Sequence, residues 1–159
     1  MSEPTASHPH SEGPVTVRGL IKCFVGICNT TPHWLLAVIA RVSVATVFWK
    51  SAQTKVDGFT IKDSTFFLFE NEYNVPLLPP EFAAYMATVA EHVFPILLII
   101  GVASRFSALS LLGMTIVIQL FVYPAAWPVH ILWVMALAYI IGRGPGPLAL
   151  DHLIAKRYS

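Results

Sequence analysis

Residues 82–103, FAAYMATVAEHVFPILLIIGVA, carry a carboxylate and an imidazole, Glu91 and His92, inside a stretch otherwise apolar enough to cross a bilayer. No other charged residue interrupts the run, and its length matches the ~20 residues that span a ~30 Å hydrocarbon core. An ionisable group at membrane depth is costly, faces a bundle interior or a wet cavity, and marks a functional site by default. Three more runs of the same kind lie on either side: Trp34–Gln53, Phe106–Tyr123 and Trp127–Ile141. The whole chain is 55% hydrophobic and only 12% charged, with a mean hydropathy of +0.65 over 159 residues. That leaves too little polar surface to clothe a water-soluble globule, and the apolar residues fall in long runs rather than in a period-2 alternation. The expected fold is all-α: an integral membrane four-helix up-down bundle forming one domain within the lipid bilayer.

A net charge of +1 with dispersed Lys and Arg excludes a nucleic-acid footprint. Arg18 and Lys22 precede the first span, Arg105 lies between spans two and three, and Arg143, Lys156 and Arg157 follow span four. An up-down bundle puts all of these on one side. The other side receives Lys55 and Lys62, diluted by Asp57, Asp63, Glu70 and Glu72, and an uncharged loop around Pro124–Pro128. The positive-inside rule then predicts a multi-pass protein of the inner (plasma) membrane with both termini cytoplasmic.

Residues 1–16 are polar and proline-containing, lack the basic start of a signal peptide, and read as a disordered cytoplasmic tail in which His8 and His10 are solvent-exposed. Residues 17–33 contain VRGLIKCFVGIC, too short to span, which suits a helix lying at the membrane interface. Cys23 and Cys28 form neither a CxxC nor a zinc pattern. The membrane domain extends over residues 34–153, and residues 154–159 form a cytoplasmic tail. In the outer loop, roughly residues 54–81, Phe59, Phe66, Phe67, Phe69 and Tyr73 alternate with acids and amides. This predicts an amphipathic helix, starting near Asp63 and ending before Pro76, that roofs the bundle.

Arg41 lies ~10 Å from the inner end of span one and Glu91 ~18 Å from the inner end of span two, at 1.5 Å per residue. An extended arginine bridges that interval, so an Arg41–Glu91 pair is expected. Ala45, Phe48, Ala52 and Lys55 share the Arg41 face, whereas Lys50 is about 180° away and snorkels outward. Pro95 frees the carbonyl of Glu91, and such a group is tolerated in a membrane only where something satisfies it. A small hydrated pocket beside Glu91 follows. Thr115, Gln119 and Tyr123 form an i, i+4, i+8 polar stripe on span three, and His130 and Trp133 lie one turn apart on span four, below Trp127. Glu91, His92 and Arg41 are the candidate catalytic groups, and Lys55, Gln119, His130 and Trp133 the candidate ligand-binding ones, lining one cavity open to the outer half.

Each group also has a plainer role. Arg41 and Glu91 as a buried pair fix helix register, Thr115 and Gln119 make interhelical hydrogen bonds, and the tryptophans anchor the interface. His130, near the outer end, reads as interfacial.

Arg41, FWKSAQTK at the end of span one, AEH in span two, GVASRF at the second turn and GRGPGPLALD after span four together resemble the DoxX family of small membrane proteins, from about Trp34 to Leu153. Gly101, Ser104 and Arg105 match its G-L-x-T-R-type inner turn with serine for threonine. Gly144, Leu150 and Asp151 match its closing G-x-G-x-x-x-L-D-type pattern, with Ala149 where serine is common. The longer outer loop, with NVPLLPPEFAAY, resembles the subgroup found beside copper-buffering peptide maturation systems. The resemblance implies components of sulfur or thiol oxidation that pass electrons to quinone, membrane partners of detoxifying enzymes, or neighbours of metal-homeostasis genes. Asp151 has its own physical role, capping a short helix that ends in Lys156 and Arg157.

Two function classes fit. In one, the bundle is a quinone-linked redox or thiol/sulfur-stress subunit: His92 or His130 donates to a quinone oxygen and Glu91, beside Arg41, exchanges the proton. The chain carries no CxxC, haem-attachment or flavin fingerprint, so a partner protein supplies the electrons. In the other, a non-enzymatic membrane partner acts in copper or metal stress or in maturation and export of a ribosomal peptide. His92, Glu91 and His130 come from single positions without an i, i+4 pair, so no metal site is assigned. Oligomeric state stays open, a homo-oligomer included.

Overall fold

The computed structural model describes residues 16–73, 75–76 and 78–158 and divides the chain into two units, residues 1–31 and 32–159. The tail expected over residues 1–16, with His8 and His10, lies outside the described residues except for Thr16. In the first unit α1 (Val17–Asn29) is an amphipathic helix, closed by Thr30, whose Oγ1 donates to the Gly26 carbonyl at 2.7 Å. Cys23 and Cys28 are free and exposed.

The second unit begins with α2 (His33–Lys55), which is followed by a two-residue hairpin, β1 (Val56–Asp57) and β2 (Thr60–Ile61), and by α3 (Asp63–Asn71). Then come α4 (Pro80–Ile100) and α5 (Ser104–Val117), the latter prolonged by a π-helical turn at Ile118–Val122. A 3₁₀ turn at Pro124–Ala126 leads into α6 (Trp127–Arg143), and α7 (Leu150–Tyr158) ends the described chain. The residues assigned to a C-terminal tail are therefore helical to Tyr158. Four helical segments, His33–Lys55, Pro80–Ile100, Ser104–Val122 and Pro124–Arg143, are long and apolar enough to cross a membrane. The all-α bundle read from the sequence is the architecture observed.

The four spans touch in the cyclic order α2, α4, α5, α6 and back to α2. Lipid tails are as apolar as leucine, so close van der Waals packing holds such helices together, and small side chains permit it. The buried positions obey this: Ala45 and Ala108 pack with Val44, Phe48, Leu98, Leu111, Leu137 and Ile140, and Ala37, Ala52, Ala83 and Ala84 are buried as well. Leu109, Leu120, Leu132 and Met135 point away from the core, as lipid-facing residues do.

Local chemistry sets the ends. Span two begins at Pro80, where a proline lacks only a donor that would be unpaired anyway. It stops at Ile100, short of the expected Ala103, because Gly101 turns left-handed (φ 81°) while its N–H and that of Val102 return to the Leu97 carbonyl. A Cβ on Gly101 would stand 2.6 Å from the Ala149 Cβ, so this turn needs glycine for space as well as for φ. At the other end of the bundle the Lys62 N–H and Thr65 Oγ1 donate to the Lys55 carbonyl (3.0 and 2.9 Å) and Lys62 Nζ to that of Thr54 (3.2 Å). These bonds satisfy the last carbonyls of α2 and pin α3 over α4, where Phe69 packs on Ala83 and Ala84. The loop helix roofs the bundle as expected. The hairpin was not anticipated; its two-residue Gly58–Phe59 loop, with Gly58 at φ 60° in the first central position, carries the signal.

Candidate functional site

Glu91 is buried on α4, with 3% of its side chain exposed. Its partner is Lys55, the last residue of α2, whose Nζ donates to Glu91 Oε2 at 2.7 Å and to Ser51 Oγ at 2.9 Å. Ser51 lies one turn before Lys55, so α2 delivers the hydroxyl and the ammonium together. Ion pair and hydrogen bond coincide, the arrangement that keeps a charge tolerable away from water.

The expected Arg41–Glu91 pair is not formed. Arg41 donates from Nε to the Leu98 carbonyl (2.6 Å), from Nη2 to that of Ile99 (2.5 Å) and from Nη1 to that of Pro145 (3.2 Å). The last carbonyls of a helix have no partner within it, and the planar guanidinium fork reaches several acceptors at once. Arg41 thus closes the C-terminus of α4 and ties it to α2 and to the loop after α6. The inward face read from the sequence is present, with Arg41, Ala45, Phe48 and Ala52 buried and Lys50 exposed.

A cavity of about 320 Å³ opens beside Glu91. Glu91, Lys55 and Ser51 form its polar end; Met86, Ala87 and Ala90 of α4 and Ser110, Met114, Val117 and Ile118 of α5 and its π turn form the walls. Phe69, Tyr73, Val75 and Leu78 close it from the loop side together with Val122 and Tyr123. The hydroxyls of Tyr73 and Tyr123 share a hydrogen bond at 3.1 Å, with ring centroids 5.9 Å apart. Burial, and then the bond to Tyr123, push the Tyr73 phenol above its ordinary range. The Tyr73 hydroxyl therefore keeps its proton across the physiological range.

The remaining expected residues lie elsewhere. His92, about 100° around α4 from Glu91, donates from Nδ1 to the Thr88 carbonyl (2.7 Å), accepts from Gln53 Nε2 (3.3 Å) and meets Trp49 edge-on. Both ring nitrogens are occupied and the ring does not line the cavity. The Thr115, Gln119, Tyr123 stripe is split, because a π turn takes more than 3.6 residues and rotates the positions after it. Thr115 turns back to its own helix, to the Leu111 carbonyl at 2.8 Å, instead of reaching a neighbour. Gln119 donates to the Pro124 carbonyl (2.7 Å) and accepts from His130 Nδ1 (2.6 Å), while Tyr123 reaches the cavity mouth. His130 is buried rather than interfacial, stacked 4.8 Å from Trp133, which packs on Phe48. Gln119, His130 and Trp133 form a separate polar knot under the α5–α6 turn, outside the Glu91 cavity.

At the opposite end Asp151 caps another helix than its own. Its two carboxylate oxygens accept from the Ala103 and Ser104 N–H groups, both at 2.8 Å, and its own N–H donates to the Gly101 carbonyl at 2.8 Å. Ala103 is held left-handed at φ 47°. The turn after span two and the segment after span four, which carry the sequence resemblance, are thus one hydrogen-bonded structure. The DoxX family model matches residues 36–124, more than half of the chain. The chain belongs to the DoxX family. It is also 32% identical over 134 aligned residues to an uncharacterised protein of Haemophilus influenzae, covering 76% of this chain and 84% of that relative. No solved structure matches. Within this DoxX-family protein the family-matched stretch contains the whole cavity lining, from Ser51 to Tyr123.

Proposed function

We propose that this protein is a quinone-linked redox or thiol/sulfur-stress subunit of the inner membrane, with the Glu91 cavity as its quinone site and a partner protein as the source of electrons. The observation that carries the reading is a cavity of about 320 Å³ with one charged, hydrogen-bonding end, Glu91, Lys55 and Ser51, and walls that are apolar and aromatic apart from Ser110. Ligand sites have this character: mostly apolar lining with a few polar groups that fix orientation. A quinone in the site accepts two electrons and two protons in becoming a quinol. Lys55 Nζ, already a donor to Glu91 and Ser51, is the group positioned to hold a carbonyl oxygen. The Glu91 carboxylate, paired with Lys55, exchanges a proton at that oxygen. Met86 and Met114 supply the adaptable apolar surface along which a ring slides, and the Tyr73–Tyr123 bond spans the mouth. Oxidation of two thiols to a disulfide by the partner supplies the two electrons and releases two protons, one reaching the quinone through Glu91 and the other taken up at its second carbonyl oxygen from water at the mouth.

The orientation proposed with this reading places Arg105 and Arg143 in the cytoplasm and the cavity mouth on the outer side. Native mass spectrometry of the gently solubilised protein, titrated with a short-chain ubiquinone, tests the reading. Wild type retains the quinone and Glu91→Gln loses it while keeping its fold; equal retention by both, or by neither, refutes it.

A further inference from the structure

A second concavity, of about 530 Å³, lies at the end of the bundle opposite the Tyr73–Tyr123 mouth, among the start of α5, the end of α6 and α7. Arg105 and Arg143 both line it, from the first turn of α5 and the last residue of α6. Neither guanidinium has a hydrogen-bond or ion-pair partner among the described residues. Arg105 reaches across towards the loop after α6: a Cβ on Gly144 would stand 3.5 Å from its Nη2. Asp151 is the one acid in the lining, and both of its oxygens are turned to the Ala103 and Ser104 N–H groups. His33 and His152 complete the polar lining, His33 through a 2.8 Å bond between its Nδ1 and the Tyr139 hydroxyl. Ser104, also in the lining, is fully buried, and its Oγ has no hydrogen-bond partner among the described residues. Two unpaired guanidinium forks in the lining of one concavity supply the planar, charged donors that a tetrahedral oxyanion accepts from.

We infer that this concavity is a phosphate site that takes the headgroup phosphodiester of an anionic lipid or a free phosphate monoester. The spanning helices end here, at the level where lipid phosphates sit, and basic pockets between spans at a membrane face bind such headgroups. Phe106, beside Arg105 in the lining, is 62% exposed and carries the concavity onto the apolar flank of α5, where an acyl chain would run.

The test uses full-length protein stripped of lipid in mild detergent, analysed by native mass spectrometry against equal phosphatidylglycerol and phosphatidylcholine of matched chains, and separately against inorganic phosphate. Wild type retains phosphatidylglycerol about tenfold over phosphatidylcholine. The preference collapses in Arg105→Gln/Arg143→Gln and persists in Lys50→Gln, a charge control on exposed α2 surface. Arg143→Glu, a single exposed substitution, gives the same loss by reversing one charge. Phosphate adducts with that arginine dependence, and no lipid preference, assign the site to a free phosphate. No preference for either anion, or a preference that survives the arginine substitutions, overturns the inference.

Discussion

The Lys55–Glu91 pair is asymmetric, and that asymmetry can be measured. Lys55 is 13% exposed and Glu91 3%. Lys55 closes α2 at the α3 end of the bundle, and its ammonium, 2.9 Å from the Ser51 hydroxyl, keeps that partner when Glu91 is gone. With Glu91→Leu the lysine keeps Ser51 and hydrates its remaining donors, and the loss is that of one charge-assisted hydrogen bond, about 1.5–3 kcal/mol. Lys55→Met strands a carboxylate with no route out, and breaking a buried pair from that side costs about 3–5 kcal/mol. The double variant replaces the pair by apolar groups of similar volume, so it falls within about 1 kcal/mol of wild type. The cycle thus yields a coupling of about 6 kcal/mol. Unfolding by SDS in detergent micelles, followed by tryptophan fluorescence, reads all four proteins. Equal single costs, or additive ones, would refute a paired, buried Glu91.

Gly101→Ala meets Ala149 at 2.6 Å in a φ of 81°, so overpacking and backbone strain together cost about 2–4 kcal/mol in the same unfolding assay. Gly58→Ala, also at positive φ but with nothing within 4 Å, costs about 1 kcal/mol. Asp151→Ala frees two N–H groups at the start of α5 and lowers stability by about 1–2 kcal/mol in that titration. Arg41→Lys leaves the terminal carbonyls of α4 under-served, so melting temperature falls while quinone retention per folded molecule is unchanged. Because the folded state holds the Tyr73 proton more tightly than the unfolded chain does, stability falls as pH rises above ~10, the ordinary phenol value; Tyr73→Phe removes that slope in denaturation curves from pH 9 to 11.

The fold was legible because membrane spans obey one strong rule, a run of apolar residues as long as the bilayer is thick. The face of α2 was legible for a similar reason: helical periodicity alone puts Arg41, Phe48 and Lys55 in line. Partners were harder. Arg41 chose backbone carbonyls at the end of α4, and carbonyls leave no mark in a sequence. Its removal from Glu91 promoted Lys55, already on the right face, to counter-ion. Gln119 and His130 left the expected cavity because a π turn has no compositional signature comparable with glycine or proline. Tyr73 entered the site through the loop fold; its aromatic neighbours announced a roof but not which ring would meet Tyr123. Asp151 was read as a local cap because helix-capping rules are local, whereas its actual partners lie 47 and 48 residues away.

Photo-crosslinking with a ring-labelled azidoquinone, followed by peptide mapping, tests the quinone site most directly. The account predicts label on Tyr73, Met86, Met114 or Tyr123, displaced by excess unlabelled quinone and absent in Glu91→Gln. Label confined to outward-facing residues such as Leu109, Leu120 or Met135, unaffected by competitor, would contradict it.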